Sequence, residues 1–220
     1  MQLSRDGARL FPAAAAPPIL AELDRLLAGA DAARPGHRLA GSPALAALLA
    51  AEGAIGRLAA ALLGPAAKPV RALLLDKTPR ANWSLAWHQD RTIAVRRRVD
   101  LPGFGNWTRK SGILHVEPPP DLLARMLTLR VHLDPVGADN GPLLVAPGSH
   151  LLGRIAERDI PAAVDRLGSV ACLAARGDVW AYATPILHAS HKAAAPTRRR
   201  VLQIDYSADT LPGALEWHGI

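Results

Sequence analysis

His88 and Asp90 stand two residues apart in Trp87-His88-Gln89-Asp90, a spacing that puts both side chains on one face of an extended chain. One imidazole and one carboxylate make two ligands of a facial triad. A second histidine would complete it and leave positions open on the ion, the arrangement of non-haem iron(II) oxygenases. A His-x-Asp pair recurs by chance, and a solvated strand end explains it equally well when nothing else follows.

More does follow. His188 lies in Pro185-Ile186-Leu187-His188-Ala189-Ser190, and Arg199 comes eleven residues later. Arg199 opens a run with Arg199, Val201, Gln203 and Asp205 on one face and Arg200, Leu202, Ile204 and Tyr206 on the other. If the apolar face packs under helices, Arg199 and Gln203 point into a barrel. A buried guanidinium cannot shed its charge and needs an anion. The far carboxylate of 2-oxoglutarate, gripped as a bidentate fork, is such an anion.

Composition narrows the metal. Cys172 is the only cysteine, so no internal disulfide and no thiolate cluster can form. Any ion must sit on His, Asp or Glu, which favours iron, manganese or a nitrogen-oxygen zinc site. The formal charge of +7 is carried mostly by arginine, including Arg96-Arg97-Arg98 and Arg198-Arg199-Arg200. There is no long basic stripe interleaved with aromatics and no docking motif, which argues against a nucleic-acid partner. A small-molecule substrate, anionic in the sense that such a charge favours, fits as well as a merely solvated surface. No apolar run is long enough for a membrane span. The segment 11–20 is broken by three prolines, unlike a signal core, so a cytoplasmic location is expected. The oligomeric state is not legible.

At 220 residues one domain is expected over 1–220. Residues 1–68 read as a helical packing region. Ile19, Leu20, Leu23, Leu26 and Leu27 form a helical stripe. Ser42-Pro43 is a helix start, and the Ala/Leu-rich run after it continues to Leu63, with Gly53 and Gly56 as points of interruption. From Pro69 the texture turns to short strands: 70–76, 85–90, 127–134, 143–146, 169–173, 178–183 and 199–206. Residues 127–134 alternate Leu129, Val131 and Leu133 against Arg130, His132 and Asp134. Gly103 to Pro120 reads as a long loop, and 96–120 as a lid or substrate segment. The expected fold is mainly β with flanking helices: a double-stranded β-helix, jelly-roll or cupin-like, over 69–210, with the N-terminal helices packed on its major sheet.

The chain resembles the phytanoyl-CoA dioxygenase-like family of Fe(II)/2-oxoglutarate-dependent oxygenases. The resemblance rests on Asp76-Lys77-Thr78-Pro79, Trp87-His88-Gln89-Asp90, Asn140-Gly141-Pro142-Leu143, Pro147-Gly148-Ser149-His150, and Leu187-His188-Ala189-Ser190 followed by Arg199. These occur in the family's order over about 70–206, a combination far more specific than any one of them. The resemblance implies that His88, Asp90 and His188 hold Fe(II) and that Arg199 pairs with the distal carboxylate of 2-oxoglutarate. It further implies that Ser190 is that arginine's hydrogen-bonding neighbour and that Arg130 faces the cosubstrate. The implied reaction consumes O2 and 2-oxoglutarate and hydroxylates a small molecule. Asp90 argues for hydroxylation over halogenation, since related halogenases lack this carboxylate.

Competing assignments remain at this level. His191 is an alternative to His188, though the spacing to Arg199 favours His188. His150 reads as structural and His115 as a surface histidine of the loop. His132 is either a substrate contact or a satisfied interior histidine, and His37 and His218 carry no argument. Lys77 and Asn82 read as shaping a turn. Trp83, Trp87 and Trp107 are candidates for a substrate cleft, with Trp87 better suited to packing against helices. Two other functions compete: a metal-dependent cupin-type enzyme that needs no 2-oxoglutarate, and a non-catalytic ligand-binding protein on the same fold.

Overall fold

The structure, a computed structural model, describes residues 1–195 and 197–220. The N-terminal part comprises α1 (Leu3–Asp6), β1 (Ala8–Phe11), α2 (Pro17–Leu27), β2 (Gly36–Leu39), α3 (Pro43–Leu49) and α4 (Gly56–Leu63). Next come β3 (Lys68–Lys77), β4 (Leu85–His88), β5 (Ile93–Val95), β6 (Gly105–Lys110), β7 (Ile113–Glu117) and α5 (Pro120–Ala124). The chain continues through β8 (Leu127–His132), β9 (Leu143–Val145), α6 (Ile160–Leu167), β10 (Val170–Cys172), β11 (Val179–Ala183), β12 (His188–Ser190) and β13 (Arg199–Ser207).

Three antiparallel sheets result. A six-stranded sheet runs β1-β11-β8-β13-β3-β2, a four-stranded sheet β10-β9-β12-β4, and a three-stranded sheet β5-β7-β6. This is the jelly-roll architecture expected from many short strands following helices.

Alternation along the central strands decides what each face meets. Leu129, Val131 and Leu133, together with Leu202, Ile204 and Tyr206, are fully buried against α2, α3 and α4 through Leu20, Leu23, Leu45, Leu49 and Ala59. Each such aliphatic side chain contributes on the order of 1.5–3 kcal/mol on burial. Tyr206 adds a hydrogen bond from its hydroxyl to the Leu49 carbonyl, 3.0 Å. Arg200 shares that outer face and ties α2 to the sheet, donating to Asp24 and Asp134 at 2.7 Å each. The opposite parity, Thr128, Arg130, His132, Gln203 and Asp205, is buried as well but polar. Apolar residues fill part of the space between the two larger sheets, where Tyr182 and Trp180 pack with Leu143, Val145 and Ile186.

Two expectations need correction, for the N-terminal region and for the long loop. The N-terminal region is not purely helical: β1 and β2 form the two edges of the six-stranded sheet, pairing with β11 and β3. Both are four residues long, too short for an alternation to register.

The run to Leu63 is interrupted in the region of Gly53 and Gly56, giving two helices. Ser42 caps the first, its hydroxyl accepting from the Leu45 amide at 3.3 Å. The chain then folds back tightly at Gly53 and Gly56, where an added Cβ would lie 2.1 Å from the Ala47 carbonyl oxygen and 1.8 Å from that of Ala50. No side chain fits there, so Gly56→Ala is expected to destabilise by about 1–3 kcal/mol. A thermal melt should show a fall of roughly 2–4 °C per kcal/mol. An unchanged Tm would mean that the two helices are not held this closely.

The long loop is a hairpin. β6 and β7 pair from Gly105↔Glu117 to Lys110↔Ile113. They turn through Ser111 (φ 51°) and Gly112 (φ 81°), the left-handed pair that a tight two-residue turn requires. On β6 the residues from Thr108 to Lys110 are exposed, which hides the period-2 pattern from hydropathy. Trp107 and Phe104 pack with Leu114 on the cluster around Ile93, Val95 and Val116.

Candidate active site

His88 and His188 are register partners across β4 and β12. Directly opposed residues rise from the same face of a sheet, and their ring centroids are 4.2 Å apart. Asp90 follows just beyond the end of β4, and one donor atom from each of the three lies within 4.8 Å of the others. The imidazole Nδ1 of His88 lies 2.7 Å from the Ala86 carbonyl, and that of His188 2.9 Å from the Ile186 carbonyl. With Nδ1–H donating to a carbonyl two residues earlier, each ring turns an Nε2 lone pair outward, the form a metal ligand needs. Burial pushes His188 down to about 4, so it is neutral at ordinary pH.

Gln89, between His88 and Asp90, points the other way and fixes the loops around the site. Its amide nitrogen donates to the Gly153 and Pro185 carbonyls at 2.9 and 2.8 Å, and its oxygen accepts from the Ile155 amide at 2.9 Å.

Behind Asp90 stands Arg71, on β3. It reaches Asp90 at 3.3 Å and Asp205 at 2.5 Å. Asp205 also accepts from Thr128, 3.1 Å. Burial opposes the Asp90 charge, but Arg71 and the two imidazoles outweigh it and hold that carboxyl below its ordinary range. Asp205 moves up instead, through burial and the nearby Asp90 charge, against the pull of Arg71. Arg71→Met would leave a buried carboxylate, Asp205, and a partly buried one, Asp90, without their shared cation. We expect a loss of roughly 3–5 kcal/mol of stability, measured as a drop in the urea midpoint. A variant as stable as the wild type would show that this cluster carries no net stabilisation.

A second group sits at the other end of the same strands. Arg199 and Lys77 are register partners on β13 and β3, 2% and 0% exposed. Arg199 donates to the Gly141 carbonyl, while its Nε has no partner among the described residues. Lys77 donates to the His191 carbonyl at 2.7 Å and to Ser190 Oγ at 3.3 Å. Arg130 donates to Gln203 at 2.7 Å and leaves its Nε unpartnered. His132 has no partner at either ring nitrogen, nor has the Tyr182 hydroxyl, whose ring lies 5.8 Å from that of His188.

Among the described residues no carboxylate pairs with Arg199, Lys77 or Arg130. Burial, then the like charge of Arg130, draws Arg199 down to about 9. Burial, then Arg199 and Arg130, draws Lys77 to about 8. A guanidinium stays charged at neutral pH even so, and what would relieve this cluster is an anion with several acceptor oxygens. The orphaned buried donors therefore fit the distal carboxylate of a dicarboxylic 2-oxo acid. The three converging nitrogen and oxygen donors fit a divalent iron ion.

The structure thus brings together the sequence candidates His88, Asp90 and His188, and places Arg199, Ser190 and Arg130 in one neighbouring cluster. His191 is exposed and lies outside the metal-binding group. Asn82 ties its loop to a distant segment, exchanging hydrogen bonds with Ala193. Lys77 does not shape a turn: it is fully buried in the cationic cluster with Arg199 and Arg130. The signal was available, because Arg71 and Lys77 share parity on β3 and so turn to the same face. Trp87 packs on α6 beside Val164 and Leu167. His115 is not a surface residue; it is fully buried on β7.

No helix of the described residues is long and apolar enough to cross a membrane. Solved structures share the fold. EctD from S. alaskensis, with 2-oxoglutarate and 5-hydroxyectoine, superposes with a TM-score of 0.66 at 22% identity, over 93% of this chain and 73% of that one. AviO1 from Streptomyces viridochromogenes Tue57 gives 0.64 at 22%, over 96% and 94%. The epimerase SnoN, in complex with Fe3+, alpha ketoglutarate and nogalamycin RO, gives 0.65 at 20%, over 96% and 88%. At these identities the likeness speaks for the fold. No curated protein matches the chain. The family model described as phytanoyl-CoA dioxygenase (PhyH) matches residues 21–201, from α2 into β13, and the chain belongs to that family of iron- and 2-oxoglutarate-dependent oxygenases.

Proposed function

We propose that this protein hydroxylates a small molecule, with Fe(II) held by His88, Asp90 and His188 and 2-oxoglutarate held by Arg199, Lys77, Ser190 and Arg130. The observation that carries the reading is the pairing of the two clusters. A three-donor metal group stands beside buried cations that lack any carboxylate of their own. Ser190, two residues past His188, touches Lys77 and so links them. Iron and 2-oxoglutarate together supply the oxidising power that, with O2, places a hydroxyl on an unactivated carbon as 2-oxoglutarate becomes succinate and carbon dioxide.

The chain's own contribution is orientation and dryness. The backbone carbonyls of Ala86 and Ile186 set the imidazole tautomers, Arg71 holds the Asp90 carboxylate ionised and aimed, and Arg199 and Lys77 fix the cosubstrate's far end. Asp90 fills the third protein position, which favours hydroxylation over halide transfer. Tyr182 and His132 line the same polar region and offer hydrogen-bonding groups to the cosubstrate.

The direct test is an anaerobic titration of the metal-free protein, first with iron(II) and then with 2-oxoglutarate, followed by visible absorption. A charge-transfer band that appears only when both are present supports the reading; its absence sends the chain to a cupin-type role without 2-oxoglutarate. Once a substrate is in hand, product mass decides the reaction type. A product that gains no oxygen would move the reading to epimerisation, the reaction named for SnoN.

A further inference from the structure

Register across the six-stranded sheet divides its inner face into rows. Arg199 and Lys77 form one row. Gln203, four residues further along β13 and so about 13 Å away, opens another with Arg130 of β8 and Leu73 of β3. Between these rows stand Val201, His132 and Leu75. The last row, Asp205, Thr128 and Arg71, ends at Asp90. Arg130 therefore lies between the Arg199 end and the candidate metal group. Its charge is felt at His188 and at Tyr182. Burial sets the main shift at each, and Arg130 adds to it at the histidine and opposes it at the tyrosine.

Charge in this interior does not balance even when the cosubstrate is counted. Asp90 and the near carboxylate of 2-oxoglutarate match the two charges of iron(II), and Asp205 matches Arg71. One far carboxylate is left for three buried cations. Lys77 has the Ser190 hydroxyl, the His191 carbonyl and the Trp83 ring, whose centroid is 5.0 Å from Nζ, and an amine can release its proton. Arg130 has no such relief, because a guanidinium keeps its charge. It is 5% exposed, and among the described residues its only side-chain hydrogen bond goes to the neutral Gln203. A buried charge without a counter-ion is costly.

Uncovered apolar surface lies in the same rows. Leu73 and Leu75 turn to the inner face with Arg71 and Lys77, on a strand flanked by β2 and β13. Yet both are only half-buried, and neither joins an apolar cluster of the described residues. His88 and Asp90 are half-buried as well. An open apolar wall, reachable metal-binding side chains and a buried cation short of an anion describe one kind of ligand.

Resting on the oxygenase reading, we infer that Arg130 anchors the substrate: a small carboxylic acid whose carboxylate takes the guanidinium donors that 2-oxoglutarate leaves free, and whose carbons lie against Leu73 and Leu75. The planar fork of donors matches a carboxylate in bidentate fashion. The apolar wall then holds the carbon body near His88 and Asp90.

The test loads the full chain with iron(II) and saturating 2-oxoglutarate without oxygen. Straight-chain acids from acetate to hexanoate are titrated in at constant ionic strength, each beside its primary amide. Binding is read as a shift of the visible band and as a rise in Tm. The acids are expected to tighten by about 2- to 4-fold per added methylene, the best half-saturating below about 10 mM, while the amides leave both signals unchanged. Arg130→Met should weaken the best acid about 10-fold or more, and should cost far less 2-oxoglutarate affinity than Arg199→Met does. Leu75→Ser should flatten the chain-length trend. If Arg130→Met does not fold, the wild-type comparison of acid with amide still decides.

The inference is overturned if no acid shifts the band or if amides act equally well. It is also overturned if the acids only bleach the band and added 2-oxoglutarate restores it, which places them at the Arg199 end. Equal losses of 2-oxoglutarate affinity in Arg130→Met and Arg199→Met would give Arg130 to the cosubstrate alone, with the same consequence. Failure of the band to form on adding 2-oxoglutarate by itself would overturn the oxygenase reading instead, and this inference with it.

Discussion

In the His188→Ala variant, iron affinity and turnover are expected to fall together, and by more than the roughly 10–100-fold that loss of an outer hydrogen-bond partner costs a metal site. His188 supplies a buried, neutral Nε2 and is the register partner of His88, so no other side chain can take its place. The exposed His191 is not within the metal-binding group and offers no rescue. His88→Ala and Asp90→Ala should behave alike in activity. They differ in what they leave behind: Asp90→Ala removes one of two carboxylates from Arg71, which keeps Asp205 at 2.5 Å, so the fold should survive. Iron(II) binding measured by competition with a coloured chelator, with circular dichroism as the control for folding, checks all three. Wild-type iron affinity in a folded His188→Ala protein would remove this histidine from the metal site.

Much of the fold was legible because hydropathy alternates where a strand has one apolar and one polar face. β8 and β13 satisfy that condition, and the polar parity of Arg130, His132, Gln203 and Asp205 faces inward as their alternation requires. The hairpin β6–β7 did not satisfy it: its outer strand is mostly exposed, and glycines and prolines flank it. The edge strands β1 and β2 are too short to show a period, and their pairing depends on where the sheet ends.

The candidate metal group was legible for a different reason. His88 and Asp90 are neighbours in sequence, and only the partner from β12 required long-range pairing. What local spacing could not reveal is the set of contacts made across the sheets. Arg71 with Asp90 and Asp205, Lys77 with Ser190, and Arg38 with the Lys110 carbonyl each join residues whose closeness depends on strand order and register. His115 shows the same limit. Nothing nearby in the chain marks it as buried, because the burial comes from β5 and from the residues around His218.

Replacing Arg199 by methionine should act in opposite directions on the two states of the protein. In the proposed cosubstrate complex the guanidinium would be the main partner for the far carboxylate, and truncating one side of a buried charge pair costs roughly 2–5 kcal/mol, or about 30-fold to several thousand-fold in 2-oxoglutarate affinity. Lys77 and Arg130 remain beside the same space, which places the expected loss toward the lower part of that range. Without cosubstrate the sign reverses. Arg199 is then a buried cation with an unpartnered Nε and a like charge nearby, and a methionine of similar length removes that cost while keeping the packing. The apo variant should therefore melt no lower than the apo wild type. At each 2-oxoglutarate concentration with iron(II) present the wild type should gain more thermal stability than the variant, since a ligand that binds only the folded state stabilises it in proportion to the logarithm of its concentration over Kd. Melting curves of both proteins across a 2-oxoglutarate series settle the point. Equal ligand-induced shifts would mean that the dicarboxylate is held elsewhere, and a large fall in the apo Tm would mean that Arg199 serves the fold through its bond to the Gly141 carbonyl.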